Sequence, residues 1–254
     1  MPDNEPIQAV VTALDIIEFM AQANGPIGVS DLARGIGRTK PRIYRHLRTL
    51  VDQGYVTQDP ATERYQLTLS LFHIGQAIAE QVSFLAEARR EMPALHEQVA
   101  QTVTIGQVES GGVRVLDILR HRSEIEIASR PGSIFDFHSS AQGKVSLAFG
   151  SDALWDFVES AELRKWTSKT NVDLNCLREE VAQVRRQGWA VAPEEALIGI
   201  NALSAPIFDG TGDLAGTINI VGSVQHLEPD PAAYFIEAVM GAAARISTRL
   251  GYRG

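Results

Sequence analysis

Apolar residues first recur at three-and-four spacing at Val10, Ala13, Leu14, Ile17 and Met20, a period that predicts an amphipathic helix. "NGPIG" ends it, because Asn24, Gly25 and Pro26 do not continue a helix. Leu32 and Ile36 give a second, two-turn stripe, with Ser30 placed to cap it and Asp31 favourably set in its first turn. Gly37 supplies a turn. Thr39 then stands where it can cap a third helix, Pro41 falls in the first turn where its missing amide does little harm, and Ile43, Leu47 and Leu50 form the buried stripe. Two short alternating segments, "YVTQ" and "RYQL", put Val56 and Leu67 on one side and are joined by "DPATE", whose Asp59 and Pro60 are turn formers. Helix, short helix, glycine turn, helix and hairpin together predict a winged helix-turn-helix.

Farther along, "SLFHIGQAIAEQVSFLAEARREMPALHEQVAQ" reads as helix from Ser70 to about Gln101, interrupted near Pro93. Its Leu71, Ile74, Ile78, Val82 and Leu85 fit packing against the same chain or against a second copy. "TVTIGQV" and "VRVLDIL" flank "ESGG" as one hairpin, and "INALSAPIF" and "LAGTINIVG" flank "DGTGD" as another. "AQGKVSLAF", "DALWDFVES", "DLNCLREEVAQVRRQGW" and "DPAAYFIEAVMGAAARISTRLG" read as helices, with Asp173 and Pro231 near two starts and Gly188 and Gly251 near two ends. The expected organisation is a head over residues 1–68, a linker helix over 69–83 and an α+β domain over 84–254, within the size range of two ordinary domains.

Charge changes the picture of the third helix. The chain carries a formal net charge of -8, yet Arg34, Arg38, Lys40, Arg42, Arg45 and Arg48 follow one another without an acidic residue, a local +6 that leaves -14 for the rest. A basic run is commonly a solvated helix face. Within a winged helix-turn-helix, opposite a buried stripe, it is instead a surface for double-stranded DNA. Arginine can bridge guanine O6 and N7, while lysine, tyrosine and further arginines suit phosphates. The candidate DNA contacts are Arg38, Thr39, Lys40, Arg42, Tyr44, Arg45 and Arg48, with Arg64 in the hairpin either a further contact or half of an ion pair with Glu63 or Asp59.

Candidate chemistry elsewhere is sparse. Cys176 is the only cysteine, which excludes an internal disulfide and a thiolate-rich metal site and fits a reducing compartment. His46, His73, His96, His121, His138 and His226 never fall at zinc-site spacing. "GTGDLAG" has one residue too many for G-x-G-x-x-G, and after Gly143 and Lys144 stands Val145 where a phosphate loop needs Ser or Thr. No cofactor is expected, and no catalytic residue; an enzyme built on the second domain would have to use Cys176 or His138. With no apolar run long enough for a membrane span and no signal peptide, the expected location is the cytoplasm.

One segment is suggestive. "RPGSIFDFHSSAQGKVSLAF" brings Arg130, an apolar stretch and His138 to a predicted helix start with Ser139 or Ser140 as cap. Free amides around Ala141, Gln142 and Gly143 could take a carboxylate, with Phe135 or Phe137 against an apolar body. An ordinary capped helix with a hydrophobic staple is the simpler account of the residues alone.

The sequence nevertheless resembles the IclR family of transcriptional regulators from end to end. The resemblance rests on "SDLARGIGRTKPRIYRHLRTLVDQGYV" and "RYQL" in the head, "RPGS" and "HSSAQGKVSLAF" in the middle, and "VRRQGWAVAPEE" and "GINALSAPIFDGTGDLAGTINIVG" near the end. It implies a winged helix head, a linker helix and a GAF-like effector domain. It also implies assembly with itself as dimers or dimers of dimers, a roughly palindromic operator, and control of catabolic genes by a small organic acid. Matching the effector motif places the ligand site at Ala141, Gln142, Gly143, Ala192, Ile200, Ala202, Asn219 and Val221, near Arg130, Phe135 and His138. Members that hold small polar keto acids have an Asp at the place of Ala192, a Cys at that of Ala202 and serines at those of Asn219 and Val221. Their loss implies a more apolar acid, aromatic or otherwise fairly hydrophobic, because a polar group buried without a partner costs about 1–3 kcal/mol. A DNA-binding protein without a ligand is the remaining alternative.

Overall fold

The structure, a computed structural model, describes residues 6–23, 25–81, 83–121 and 129–253. The chain divides into two compact units, residues 1–81 and 82–254.

In the first unit, α1 (Gln8–Gln22), α2 (Val29–Ile36) and α3 (Lys40–Asp52) pack on one another, and β1 (Val56–Gln58) pairs antiparallel with β2 (Tyr65–Leu67). This is the expected winged helix-turn-helix. Ile43, Leu47 and Leu50 are buried as predicted, against Ile16, Met20, Leu32, Val56 and Tyr65. The stripe of α1 is rotated from the predicted one. Thr12, Ile16 and Met20 are buried, while Val10 and Leu14 are exposed. Thr12 tolerates burial because its hydroxyl donates to the Gln8 carbonyl at 2.8 Å. The second helix begins two residues early, with Gly28 and not Ser30 at its N-cap, as Val29 packs against the core. Gly37 makes the turn at φ +68, a left-handed conformation that favours glycine. Thr39 is the N-cap residue of α3, but its side chain makes no capping bond. Then α4 (Ser70–Gln81) follows, with Leu71 half-buried and Ile74 exposed; Ile78 lies among the residues whose side chains are not described.

The second unit begins with α5 (Ser83–Val99), and Val82 lies outside the described residues. The expected interruption at Pro93 does not occur. The helix runs through it because Phe84, Leu85, Ala88, Met92, Leu95 and Val99 are buried, and burial on that scale offsets the roughly 3 kcal/mol a proline costs a helix. Next come β3 (Thr102–Glu109), β4 (Gly112–Leu119), the two-residue β5 (Ile134–Phe135), α6 (Ala141–Phe149), α7 (Ala153–Ser160), α8 (Leu174–Gln187), the two-residue β6 (Ala190–Val191), β7 (Ile200–Phe208), β8 (Leu214–Ser223) and α9 (Ala233–Arg249). They build a six-stranded antiparallel sheet in the order β5-β4-β3-β8-β7-β6. The long strands and the helices follow the sequence pattern; β5 and β6 are too short to have shown a period.

Alternation along the central strands gives the sheet two different faces. Val103, Ile105, Leu203, Ala205, Ile207, Ile218 and Ile220 are buried on the side covered by α5 and α9. Thr104, Ser204, Thr217 and Asn219 point to the other side, beneath α6, which packs in turn on α8. Among the described residues no helix is long and apolar enough to cross a membrane.

Candidate nucleic-acid interface and ligand cavity

The first site is the outer surface of α3. With Ile43, Leu47 and Leu50 held inward, Arg38, Lys40, Tyr44, Arg45 and Arg48 are exposed, and Arg42 is half-buried. Arg42 Nη2 donates to Thr12 Oγ1 at 3.4 Å, which leans this side chain on α1. The wing is stiffened at its turn, where Asp59 accepts from the Ala61 amide and the Thr62 hydroxyl. Those bonds, the hydroxyl first, hold its carboxyl below the ordinary range. Arg64 is exposed on the hairpin and does not form the ion pair that was one of its two expected arrangements. Its Nη1 donates to the Pro26 carbonyl at 2.9 Å, tying the wing to the segment before α2 in place of an ion pair with Glu63 or Asp59.

The second site is a cavity of about 350 Å³ at the start of α6, within the range of about 300–1,000 Å³ usual for small-molecule sites. Of the residues named from the sequence, Phe135, Ala141, Gln142, Ala192, Ile200, Ala202, Asn219 and Val221 line it. Three others do not. Arg130 is exposed on the surface, and His138 is buried with its Nε2 2.9 Å from the Arg164 carbonyl oxygen. Gly143 is engaged in starting the helix. Ser140 is the cap, its Oγ accepting from the Gly143 amide at 3.1 Å while its hydroxyl donates to the Asp136 carbonyl at 2.7 Å. A Cβ on Gly143 would lie 2.5 Å from backbone atoms of Asp136 and Phe137. Gly143→Ala is therefore expected to destabilise the second unit by about 1–3 kcal/mol, and a urea midpoint indistinguishable from wild type would refute that close approach.

Residues with no sequence signal complete the lining, among them Thr104, Val115, Ser129, Ile134, Ala196 and Leu197. They come from separate strands and loops whose meeting depends on sheet order. The floor is polar. Asn219 Nδ2 donates to Thr104 O, Thr104 Oγ1 and Gln142 Oε1 at 3.2, 3.1 and 3.0 Å. Because the Thr104 carbonyl only accepts, this fixes the Asn219 amide nitrogen toward it, and the Gln142 oxygen toward Asn219. The Gln142 amino group is left for other acceptors. Among the described residues, Asn219 Oδ1, Ser204 Oγ and Thr217 Oγ1 are buried without hydrogen-bond partners. Ala192, Ala202 and Val221 contribute apolar lining, whereas this floor supplies polar groups.

The roof is held by a buried ion pair that the sequence did not announce. Lys144, in the second turn of α6, is buried, and its Nζ lies 2.6 Å from Glu195 Oε1 and 2.8 Å from Glu180 Oε2. Glu195 belongs to the loop that carries Ala196 and Leu197 over the cavity. That loop is tied further by Thr170 Oγ1 to the Glu195 carbonyl and Thr167 Oγ1 to the Glu194 carbonyl, both at 2.7 Å. Glu194 itself has φ +58, a strained conformation its neighbours impose. The clue in the sequence was a single lysine among Ala141, Gly143, Val145, Leu147 and Ala148.

Neither residue that an enzyme would have required is at this site. Cys176 is exposed in the first turn of α8, where the Asp173 carboxylate, then desolvation, raise its thiol away from the reactive thiolate. Among the described residues no group of three or more His, Cys, Asp or Glu is placed to hold a metal.

Comparison with known proteins agrees with both halves of this architecture. The family model of the IclR helix-turn-helix domain matches residues 9–60, and that of the bacterial transcriptional regulator IclR C-terminal domain matches residues 76–248. HTH-type transcriptional regulator KdgR of Escherichia coli strain K12 is 26% identical over 252 residues, covering 99% of this chain and 95% of its own. The glycerol operon regulatory protein of Streptomyces griseus is 28% identical over 247 residues, 96% of this chain and 97% of its own. In fold, an IclR homolog from Microbacterium hydrocarbonoxydans, crystallised in complex with 4-hydroxybenzoate, has a TM-score of 0.85 at 18% identity over 95% of this chain and 98% of its own. These relatives are named as regulators and not as enzymes, and the chain belongs to the IclR family of bacterial transcriptional regulators.

Proposed function

We propose that this regulator grips a roughly palindromic operator through α3 and the wing, as a dimer or dimer of dimers, and that a fairly apolar, aromatic carboxylic acid bound at the start of α6 controls that grip. The genes so governed would be catabolic, and the work cytoplasmic. The observation that carries the ligand reading is the cavity's composition. Phe135, Leu197, Ile200 and Val221 offer an apolar wall, while the Ala141 amide and the Gln142 amino group stand at one end. A helix start attracts an anion through its unpaired amides and its dipole. The carboxylate would lie there, with Asn219 steadying Gln142, and without Arg130 or His138. A homolog of the same fold is complexed with 4-hydroxybenzoate, which supports an acid of this kind as the ligand. Self-association is supported by Val10 and Leu14 on α1 and Leu69 and Phe72 near α4, exposed apolar side chains that a second copy would cover.

An acid can change operator occupancy only through unequal affinity for DNA-competent and incompetent states. Calorimetry with benzoate-type acids, pyruvate and glyoxylate tests the ligand class: heat from the aromatic acids is expected, and binding only of the small keto acids would refute it. A footprint on the protein's own upstream region, repeated with the same acids, should show a two-fold protected site whose occupancy one aromatic acid alters. Occupancy indifferent to every acid would favour a ligand-independent DNA binder.

A further inference from the structure

We propose that His46 is a proton-linked contact to the DNA backbone, receiving a phosphate in the hollow it shares with Thr39, Arg42 and Arg45 and taking up a proton as the phosphate arrives. The hollow lies between the starts of α1 and α3 and is lined by Ala9, Thr39, Pro41, Arg42, Arg45 and His46, with no acidic side chain among them. It sits on the helix that a winged helix-turn-helix uses to meet DNA. Among the described residues, neither helix start beside it is capped by the side chain of its N-cap residue, so first-turn amides add to the positive field.

The imidazole is an expensive choice for packing alone. His46 is half-buried beside two arginines, and burial, then Arg42, then Arg45 hold its pKa below 6.5. Among the described residues, Arg42 and Arg45 are the charged groups that act on it, and α1 packs across with Ala9 in the hollow and Thr12 on Arg42. An aliphatic residue would fill the place without that conflict. A phosphate reverses the local field, because a nearby anion favours the protonated ring. The bound pKa then lies above the free one. In the window between them, binding takes up a proton and affinity rises as pH falls, by at most about tenfold per pH unit for each head.

Fluorescence anisotropy at constant ionic strength tests this, with the full-length protein and a labelled duplex of its upstream region, between about pH 5.5 and 8.5. A phosphate contact does not depend on sequence, so a random duplex should show the same slope. Wild type should tighten as pH falls. His46→Gln should lose that slope and bind no better at any pH than wild type does at the alkaline end. His46→Lys, with its charge fixed, should bind at the alkaline end as tightly as wild type at the acid end. A slope that survives His46→Gln, a flat wild-type profile, or weakened binding by a folded His46→Lys at every pH would each overturn the proposal.

Discussion

Lys144→Met is expected to cost the second unit about 3–5 kcal/mol, the range found when one partner of a buried ion pair is removed. Glu195 would then stay buried with its charge uncompensated, since among the described residues the other charged group acting on it is the partly exposed Glu180, which carries the same sign. The loss should depend on pH. Burial raises the Glu195 carboxyl above its ordinary value, outweighing the lowering by Lys144. A carboxyl raised in this way contributes stability below its unfolded pKa and loses that contribution as pH climbs through the raised one. Lys144 limits the loss, so the variant's deficit should be larger near pH 8 than near pH 5. The double variant Lys144→Met with Glu195→Gln should recover much of the stability, because no unpaired charge remains. Urea unfolding of the three proteins at both pH values decides the matter. An equal deficit at the two pH values would deny that Glu195 is the charge left behind.

The second large effect is expected at the DNA surface. Arg45→Ala should lower specific operator affinity by roughly 1–3 kcal/mol per head, or about five- to 150-fold, and in a two-headed complex this removes most detectable specific binding. Its side chain is exposed on α3, and the hydrogen bond that the Thr49 hydroxyl donates to this residue uses its backbone carbonyl, which alanine keeps. The unfolding midpoint and the ligand heat should stay as in wild type. Unchanged operator affinity would mean that α3 does not read DNA with this face.

The two sites were legible in the sequence to different degrees. The basic face of α3 could be read almost completely, because Ile43, Leu47 and Leu50 at helical spacing dictate where Arg45 and Arg48 point. For α1 the same reasoning misplaced the stripe, since a threonine satisfied by its own helix can be buried as an apolar residue is. Serine chemistry at the start of α6 was legible too, and Ser140 caps it. Yet His138 and Arg130, the obvious charged candidates beside it, stand outside the cavity.

By itself, then, the sequence determined a DNA-reading head with a polarised third helix and a strand-rich second domain, because period, caps and charge runs act between residues a few positions apart. Only the tertiary structure decided what completes the cavity lining and which bonds hold its polar floor and its roof. Asn219 meets Thr104 across 115 positions and Lys144 meets Glu195 across 51. Such meetings are set by the order and register of the strands, where a slip of one residue would turn every side chain to the opposite face.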